Sequence, residues 1–423
     1  MSLFTDASLV LIPSAVKISK AYAIKPTDGT GDLTFTRSND TATRVGSDGL
    51  IEKVRTNLLL QSNSFDTTWI NDLTSETSGQ AGYDGTNNAW LLDSTSGFIQ
   101  QIISLNGLYC FSVYAKKGTA EGIRLRINAG TDANCYINLN DGTEILAHSG
   151  VYLSVVSVGS GWYRICLAIN DSAIVDVRFY PVDLSGINTT GNLLIQDAML
   201  ESGDIATDYI ATTTAAVSVG MLADLPRLDY SGGATCPKLL LEPQRTNLVT
   251  YSENFDNAAW TEKVGATITA KTTTSPDGYV NADKLVEDTS TGNHLVNRNN
   301  VFVATGDFHT GSIFVKAGER THCAISTRGE FGSPDKVIIF NLTTGVWDVN
   351  GSAQFEGLAA QQYANGWWRI IFNIDTASAA YDGFTIGTAI GGAFYSDATY
   401  TGDGTSGIYI WGGQLEAGSY ATS

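Results

Sequence analysis

Arg55 to Trp69 reads RTNLLLQSNSFDTTW, and Arg245 to Trp260 reads RTNLVTYSENFDNAAW. The two share Arg-Thr-Asn-Leu, a serine, Phe-Asp and a closing tryptophan, too much for chance in so short a stretch, so the chain contains a duplication. Four further blocks recur in the same order: FSVYAKKG (Phe111 to Gly118) with GSIFVKAG (Gly311 to Gly318), YINLNDG (Tyr136 to Gly142) with IFNLTTG (Ile339 to Gly345), SGWYRI (Ser160 to Ile165) with NGWWRI (Asn365 to Ile370), and LLIQDAMLESG (Leu193 to Gly203) with IYIWGGQLEAG (Ile408 to Gly418). A whole domain is therefore written twice. The offset between copies grows from Arg55/Arg245 to Glu201/Glu416, so the second copy carries the longer loops, where insertions are tolerated.

Each matched block alternates as a strand does. Phe111, Val113 and Ala115 fall on one face and Ser112, Tyr114 and Lys116 on the other, and Ile313 and Val315 against Ser312, Phe314 and Lys316 repeat the pattern. The endings Asn-Asp-Gly and Thr-Thr-Gly are hairpin turns, because glycine accepts the positive φ that such turns need. With 44 Gly, only 3 Met and 16% charged residues in 423, the composition favours short strands and many turns over amphipathic helices. The expected fold is all-β: two tandem β-sandwich domains of jelly-roll type. Residues 55–211 form the first and 245–423 the second, behind an N-terminal segment 1–54 and joined by a connector 212–244. Pro226, Pro237 and Pro243 make that connector a semi-rigid spacer that packs along a domain through its apolar residues.

A formal charge of −18 with no basic cluster repels a phosphate backbone and argues against nucleic-acid binding. The apolar run Leu9 to Ile12 stops at Pro13 without a basic region ahead of it, so no signal peptide is expected, and no window approaches the roughly 20 apolar residues that span a bilayer. Five cysteines without a CxxC pair support neither a disulfide framework nor a zinc site; Cys110, Cys135 and Cys166 read as small buried thiols. The four histidines lack ligand spacing, and the chain has no GxSxG, HExxH or phosphate loop, so no enzyme is expected.

The order TNLLLQSNSFDTTW, YCFSVYAKKG, GWYRI and LLIQDAMLE resembles the carbohydrate-binding-module jelly roll of the galactose-binding-like type. The N-terminal run from Ser8, the phrases PRLDYS and LLLEPQRTNL, and the ending GGQLEAGSYATS resemble segments of bacteriophage virion proteins: head fibres, head spikes and tail fibres. These resemblances imply a structural virion protein made in the host bacterial cytoplasm. It would dock to other virion proteins through residues 1–54 and display two domains for weak adhesion to cell-surface glycans. Head and tail locations both stay open, and so does the oligomeric state, a homotrimer included. Ser8 to Lys25 reads either as an arm added to a partner's sheet edge or as an extra strand on the first sandwich. A secreted glycan-binding accessory module and a polysaccharide depolymerase are the alternatives.

Sugar rings stack on exposed aromatic planes. Tyr114 and Phe314, on the mixed face, are the first platform candidates, with Tyr163 and Trp368 as alternates. Trp69, Trp260, Trp162 and Trp367 read as core; Arg164 and Arg369 share a strand face with the last two. The sandwich resemblance also implies a structural calcium on an acidic residue after the first-strand Phe and an Asp in the last strand, which here are Asp66 and Asp197, and Asp256 with Gly412 in place of the second ligand.

Overall fold

The computed structural model describes all residues except 1–2, 38–39, 186–187, 300, 302–307, 328–330, 332–336, 351–354, 376–382 and 392–394. It is built almost entirely of strands. Two compact units form, Val54–Leu222 and a second made of Met1–Lys53 with Ala223–Ser423.

In the first unit the strands Ala89–Lys117 (29 residues) and Trp162–Val182 (21 residues) are too long for one layer. They pair from Trp162↔Lys116 to Asp171↔Gly107, shift register, and pair again to Phe179↔Ile99. Gly107, at φ +113, stands at that shift, in a conformation that favours glycine. The same two strands thus serve both layers of the sandwich. Their inward side chains meet in one core: Phe111, Val113, Ile165 and Leu167 from one half, Ile99, Val177 and Phe179 from the other. The second unit has separate sheets instead. One contains Leu295–Asn299, Gly383–Ala389, His322–Ser326 and Val337–Asn341; the other contains Val280–Glu287, Gly407–Ala417, Phe308–Ala317 and Trp367–Asp375. Val296, Ile325, Phe340 and Ile386 from the first pack against Leu285, Ile313, Phe372 and Ile410 from the second. Both copies are β-sandwiches, as the alternation predicted.

The repeated words act as fasteners. Asn57 donates to the carbonyls of Ala198 and Ile210 while its oxygen accepts from Leu59 and Leu200 N–H groups. Asn247 does the same with Gly413, Val249 and Leu415. Trp69 and Trp260 are buried beside Phe65 and Phe255, and their indoles donate to Gln61 and Tyr251 carbonyls. The turn glycines Gly142 (φ +78) and Gly345 (φ +72) lie on the rings of Tyr163 and Trp368, where an added Cβ would sit 2.5 and 2.4 Å from ring carbons. Each hairpin is thereby seated on a later strand, Trp162–Val182 in the first copy and Trp367–Asp375 in the second.

Three expectations change. The connector is not a spacer: Val217–Val219 pairs with Arg55–Asn57 in the first unit, while Leu228–Asp229 pairs with Lys238–Leu239 in the second. Residues 1–53 fold within the second unit rather than on the first sandwich. Val10–Lys17, Lys20–Lys25 and Leu33–Thr34 form a three-stranded sheet of their own. Ile51 N–H donates to Pro276, Asp229 accepts from Val45 N–H, and Lys53 lies 3.3 Å from Asp277 and 4.4 Å over Trp411. Finally, Cys110 and Cys166 are joined as a buried disulfide, because the register places Cys110 opposite Ala168 and Cys166 opposite Ser112 on one sheet face. Cys135 and Cys323 are buried free thiols, and burial pushes the Cys135 thiol up to about 12. No helix among the described residues is long and apolar enough to cross a membrane.

Candidate functional site

The expected platforms do not face outward. Tyr114 stacks flat on Tyr83, ring centroids 3.8 Å apart, with Trp162 beside them and the Arg164 guanidinium 5.2 Å from the Tyr114 centroid. Phe314 is enclosed by Tyr363, Trp411 and Arg369. Tyr163 and Trp368 are half-buried against the main cores under their turn glycines, and Trp368 donates to the Leu342 carbonyl. The mixed face is closed because the segment after the last strand folds back across it. Glu201 accepts from Thr207 N–H (2.7 Å) and its hydroxyl (2.6 Å), and Arg164 donates to the Thr207 carbonyl. Glu416, Thr422 and Arg369 repeat the clamp.

The calcium residues do not assemble either. Asp66 and Asp256 are exposed, whereas Asp197 is buried and accepts a hydrogen bond from the Tyr83 hydroxyl at 2.9 Å. Burial pushes the Asp197 carboxyl up to about 6. Asp197 (φ +55) and Gly412 (φ +61) share a left-handed backbone conformation, so what the two copies have in common there is a kink. Among the described residues no three His, Cys, Asp or Glu side chains gather to hold a metal ion. These residues do not fit a calcium.

The first sandwich nevertheless carries one polar, aromatic face. In the strand Gly122–Asn128, Ile123, Leu125 and Ile127 enter the core, so Arg124, Arg126 and Asn128 point away from it. Register places Tyr136 and Tyr180 on either side of Arg124, Asn134 and Arg178 on either side of Arg126, and Asp176 next to Asn128. Phe98 continues the first row, 4.9 Å from Tyr180, and Gln100 the second, opposite Arg178. Arg126 pairs with Asp132 at 2.8 Å, and Arg178 grips Asp176 with two bonds of 2.6 and 2.8 Å. Asn128 donates to Asp176 at 2.7 Å. Arg124 lies 4.6 Å from the Tyr180 centroid and 5.2 Å from that of Tyr136, and Arg178 lies 4.6 Å from Phe98. Hydrogen bonding to Asp176 holds the Arg178 guanidinium above its ordinary range. For Asp132, burial pulls upward, but the bonds from Arg126 and Asn134 prevail and hold its carboxyl low. The face is a prearranged lattice of guanidinium forks, amides and carboxylates, steadied by aromatic rings.

No protein-family model matches the sequence, and no curated protein matches it. Solved structures similar to it include the N-terminal CBM22-1–CBM22-2 tandem domain from Paenibacillus barcinonensis Xyn10C (11% identity, 90% of this chain and 100% of that one, TM-score 0.26). The tandem CBM51 modules of Sp3GH98, a family 98 glycoside hydrolase from Streptococcus pneumoniae, match at 12% identity over 90% of this chain and 97% of that one, with TM-score 0.21. The enzymatically active domain of bacteriophage CBA120 tailspike protein 4 matches at 12% identity and TM-score 0.23, over 34% of this chain and 21% of that one. Two of the three are tandem carbohydrate-binding modules.

The second copy lacks the lattice. Register puts Ala324 where Arg124 stands, flanked by Ile339 and Gly387 instead of Tyr136 and Tyr180; Ser326, Val337 and Thr385 replace Arg126, Asn134 and Arg178. This face is apolar and covered: Phe331 and Ala398 pack on Ala324, Ile339 and Leu295, and a Cβ on Gly387 would lie 2.6 Å from the Phe331 ring. Asn293 holds the cover, its oxygen accepting from Phe331 N–H and its amide donating to the Ala398 carbonyl, while buried Glu287 accepts from Arg320, the Tyr400 hydroxyl (2.6 Å) and Asp403 N–H (2.9 Å). The lattice residues escape a search for isolated aromatics. Their signal was the alternation of GIRLRIN and DVRFYPV, in which cations and rings occupy every second position.

Proposed function

We propose that this chain is a non-catalytic structural protein of a bacteriophage particle, and that its first sandwich binds glycans through the face of Arg124, Arg126, Tyr136, Asp176, Arg178 and Tyr180. One observation carries the binding reading: the second copy builds the same sandwich without any of these side chains and seals the corresponding face. The polar lattice is therefore not needed to make the fold. Guanidiniums, amides and carboxylates fixed in place suit vicinal hydroxyl groups, which need donors and acceptors at set spacing. Placement on a particle is supported by the resemblance of PRLDYS and LLLEPQRTNL to virion fibre and spike proteins. Many copies on one particle turn weak single sites into firm attachment.

A glycan array probed with the full chain, followed by titration calorimetry of the hits, tests the binding half. Binding that is lost in Arg178→Ala and kept in Thr385→Ala supports it; no binding to any glycan, or loss in both, removes it. Immunogold labelling of purified particles tests the placement. Release of reducing ends from a bound polysaccharide would instead establish a depolymerase.

A further inference from the structure

We propose that the face selects an acidic glycan, whose ring carboxylate is seated on Arg124. The inference rests on the binding reading above and adds the chemical class of the ligand. Three guanidiniums share the face, and two are already neutralised: Arg126 by Asp132 at 2.8 Å and Arg178 by Asp176 at 2.6 Å. Arg124 is different. Among the described residues its one hydrogen bond runs from Nε to the neutral Oδ1 of Asn134, at 2.7 Å, and Asp132 reaches it only through space. Its remaining donors, the paired Nη groups, make no bond among the described residues.

Such a cation is unusual in a chain of net charge −18, which has carboxylates to spare. Its geometry is also fixed. Tyr136 and Tyr180 lie on either side of the guanidinium, and Asn134 sets its rotation, so little side-chain entropy is lost when the fork is used. A planar fork of two N–H donors matches a carboxylate bidentately, whereas a neutral hydroxyl pair uses only half of that match. The neighbouring Asn128–Asp176–Arg178 group then supplies donors and an acceptor for the hydroxyls of the same or the next sugar. The ligand that fits is a hydroxyl-rich pyranose carrying a carboxylate, as uronic acids and nonulosonic acids do.

The experiment titrates the full chain with an oligosaccharide containing glucuronic acid, with its carboxyl-reduced neutral counterpart, and with a sialylated oligosaccharide. At least one acidic ligand is expected to bind about tenfold or more tightly than the neutral one, and to weaken as salt is raised. Arg124→Gln is expected to erase that preference, bringing acidic and neutral ligands to the same affinity, and Arg124→Lys, which keeps the charge without the fork, to retain only part of it. Which acidic ligand binds identifies the source of the carboxylate. Equal affinity for acidic and neutral ligands, or a preference unchanged in Arg124→Gln, overturns the inference while leaving glycan binding standing. Binding of none of the three ligands overturns it as well, and if the array is also blank the binding reading falls with it.

Discussion

The two copies share their fasteners and differ on one face. Asn57 and Asn247, Trp69 and Trp260, and the Glu201–Thr207 and Glu416–Thr422 clamps do the same work at matched positions. On the outer face of the strands Gly122–Asn128 and His322–Ser326, one copy presents arginines and rings while the other buries small side chains under Phe331. The same sandwich is built with a polar face in one copy and an apolar, covered face in the other. What varies between copies is thus a guide to function, and what recurs is a guide to folding.

The largest effect expected lies at the buried Glu287 of the second unit. Arg320→Ala leaves Glu287 buried without its cation and should cost the second unit about 3–5 kcal/mol, read as a shift of its unfolding transition to lower denaturant. At Glu287 burial pulls upward but Arg320 and Tyr400 prevail, so its carboxyl is held low in the fold. The stability this provides is present above the ordinary carboxylate value and lost as pH falls through the depressed one. If Arg320→Ala unfolds both units equally, the two copies are not energetically separate. Next comes the disulfide, which the first copy alone has, Thr310 and Ile371 standing at the matched positions. Reduction should lower the stability of the first unit by about 2–4 kcal/mol and leave the second unchanged.

Asp197 gives a smaller, pH-gated effect. Its folded carboxyl sits at about 6 against an ordinary 3.8, so the fold favours the protonated form and loses stability as pH rises between those values. Asp197→Asn should therefore be near neutral at about pH 4 and stabilise the first unit by about 1–3 kcal/mol at neutral pH, measured by urea unfolding. A flat difference across that range would show that the Tyr83 bond already offsets the burial. The smallest effect is in stability at the lattice itself: Arg124→Ala, the residue type found at Ala324, should shift unfolding by less than about 1 kcal/mol. A larger loss would make the lattice part of the scaffold and blur the contrast between copies.

The duplicated blocks made the sandwich fold legible, because strand alternation is local and the repeat confirmed it. The buried roles of Trp69, Trp260, Trp162 and Trp367 were legible for the same reason. Tyr114 and Phe314 misled because their covers, Tyr83 and Tyr363, lie far away in sequence. The Cys110–Cys166 bond was hidden because a diagonal pairing depends on the register of two strands, which composition does not reveal. Arg124 needed the register too: only when Tyr136 and Tyr180 are known to flank it does an arginine on a strand become a held donor.

The disulfide also carries information about time. Thiol pairs stay reduced in a glutathione-rich cytoplasm and oxidise outside it. A chain folded in such a compartment would hold Cys110 and Cys166 side by side as thiols in the first sandwich, with no cross-link. Once the surroundings turned oxidising, the bond would close and the first sandwich would harden while the second stayed as it was. In such a chain the redox state of this one pair would be a mark of history, reporting whether the molecule had met an oxidising compartment.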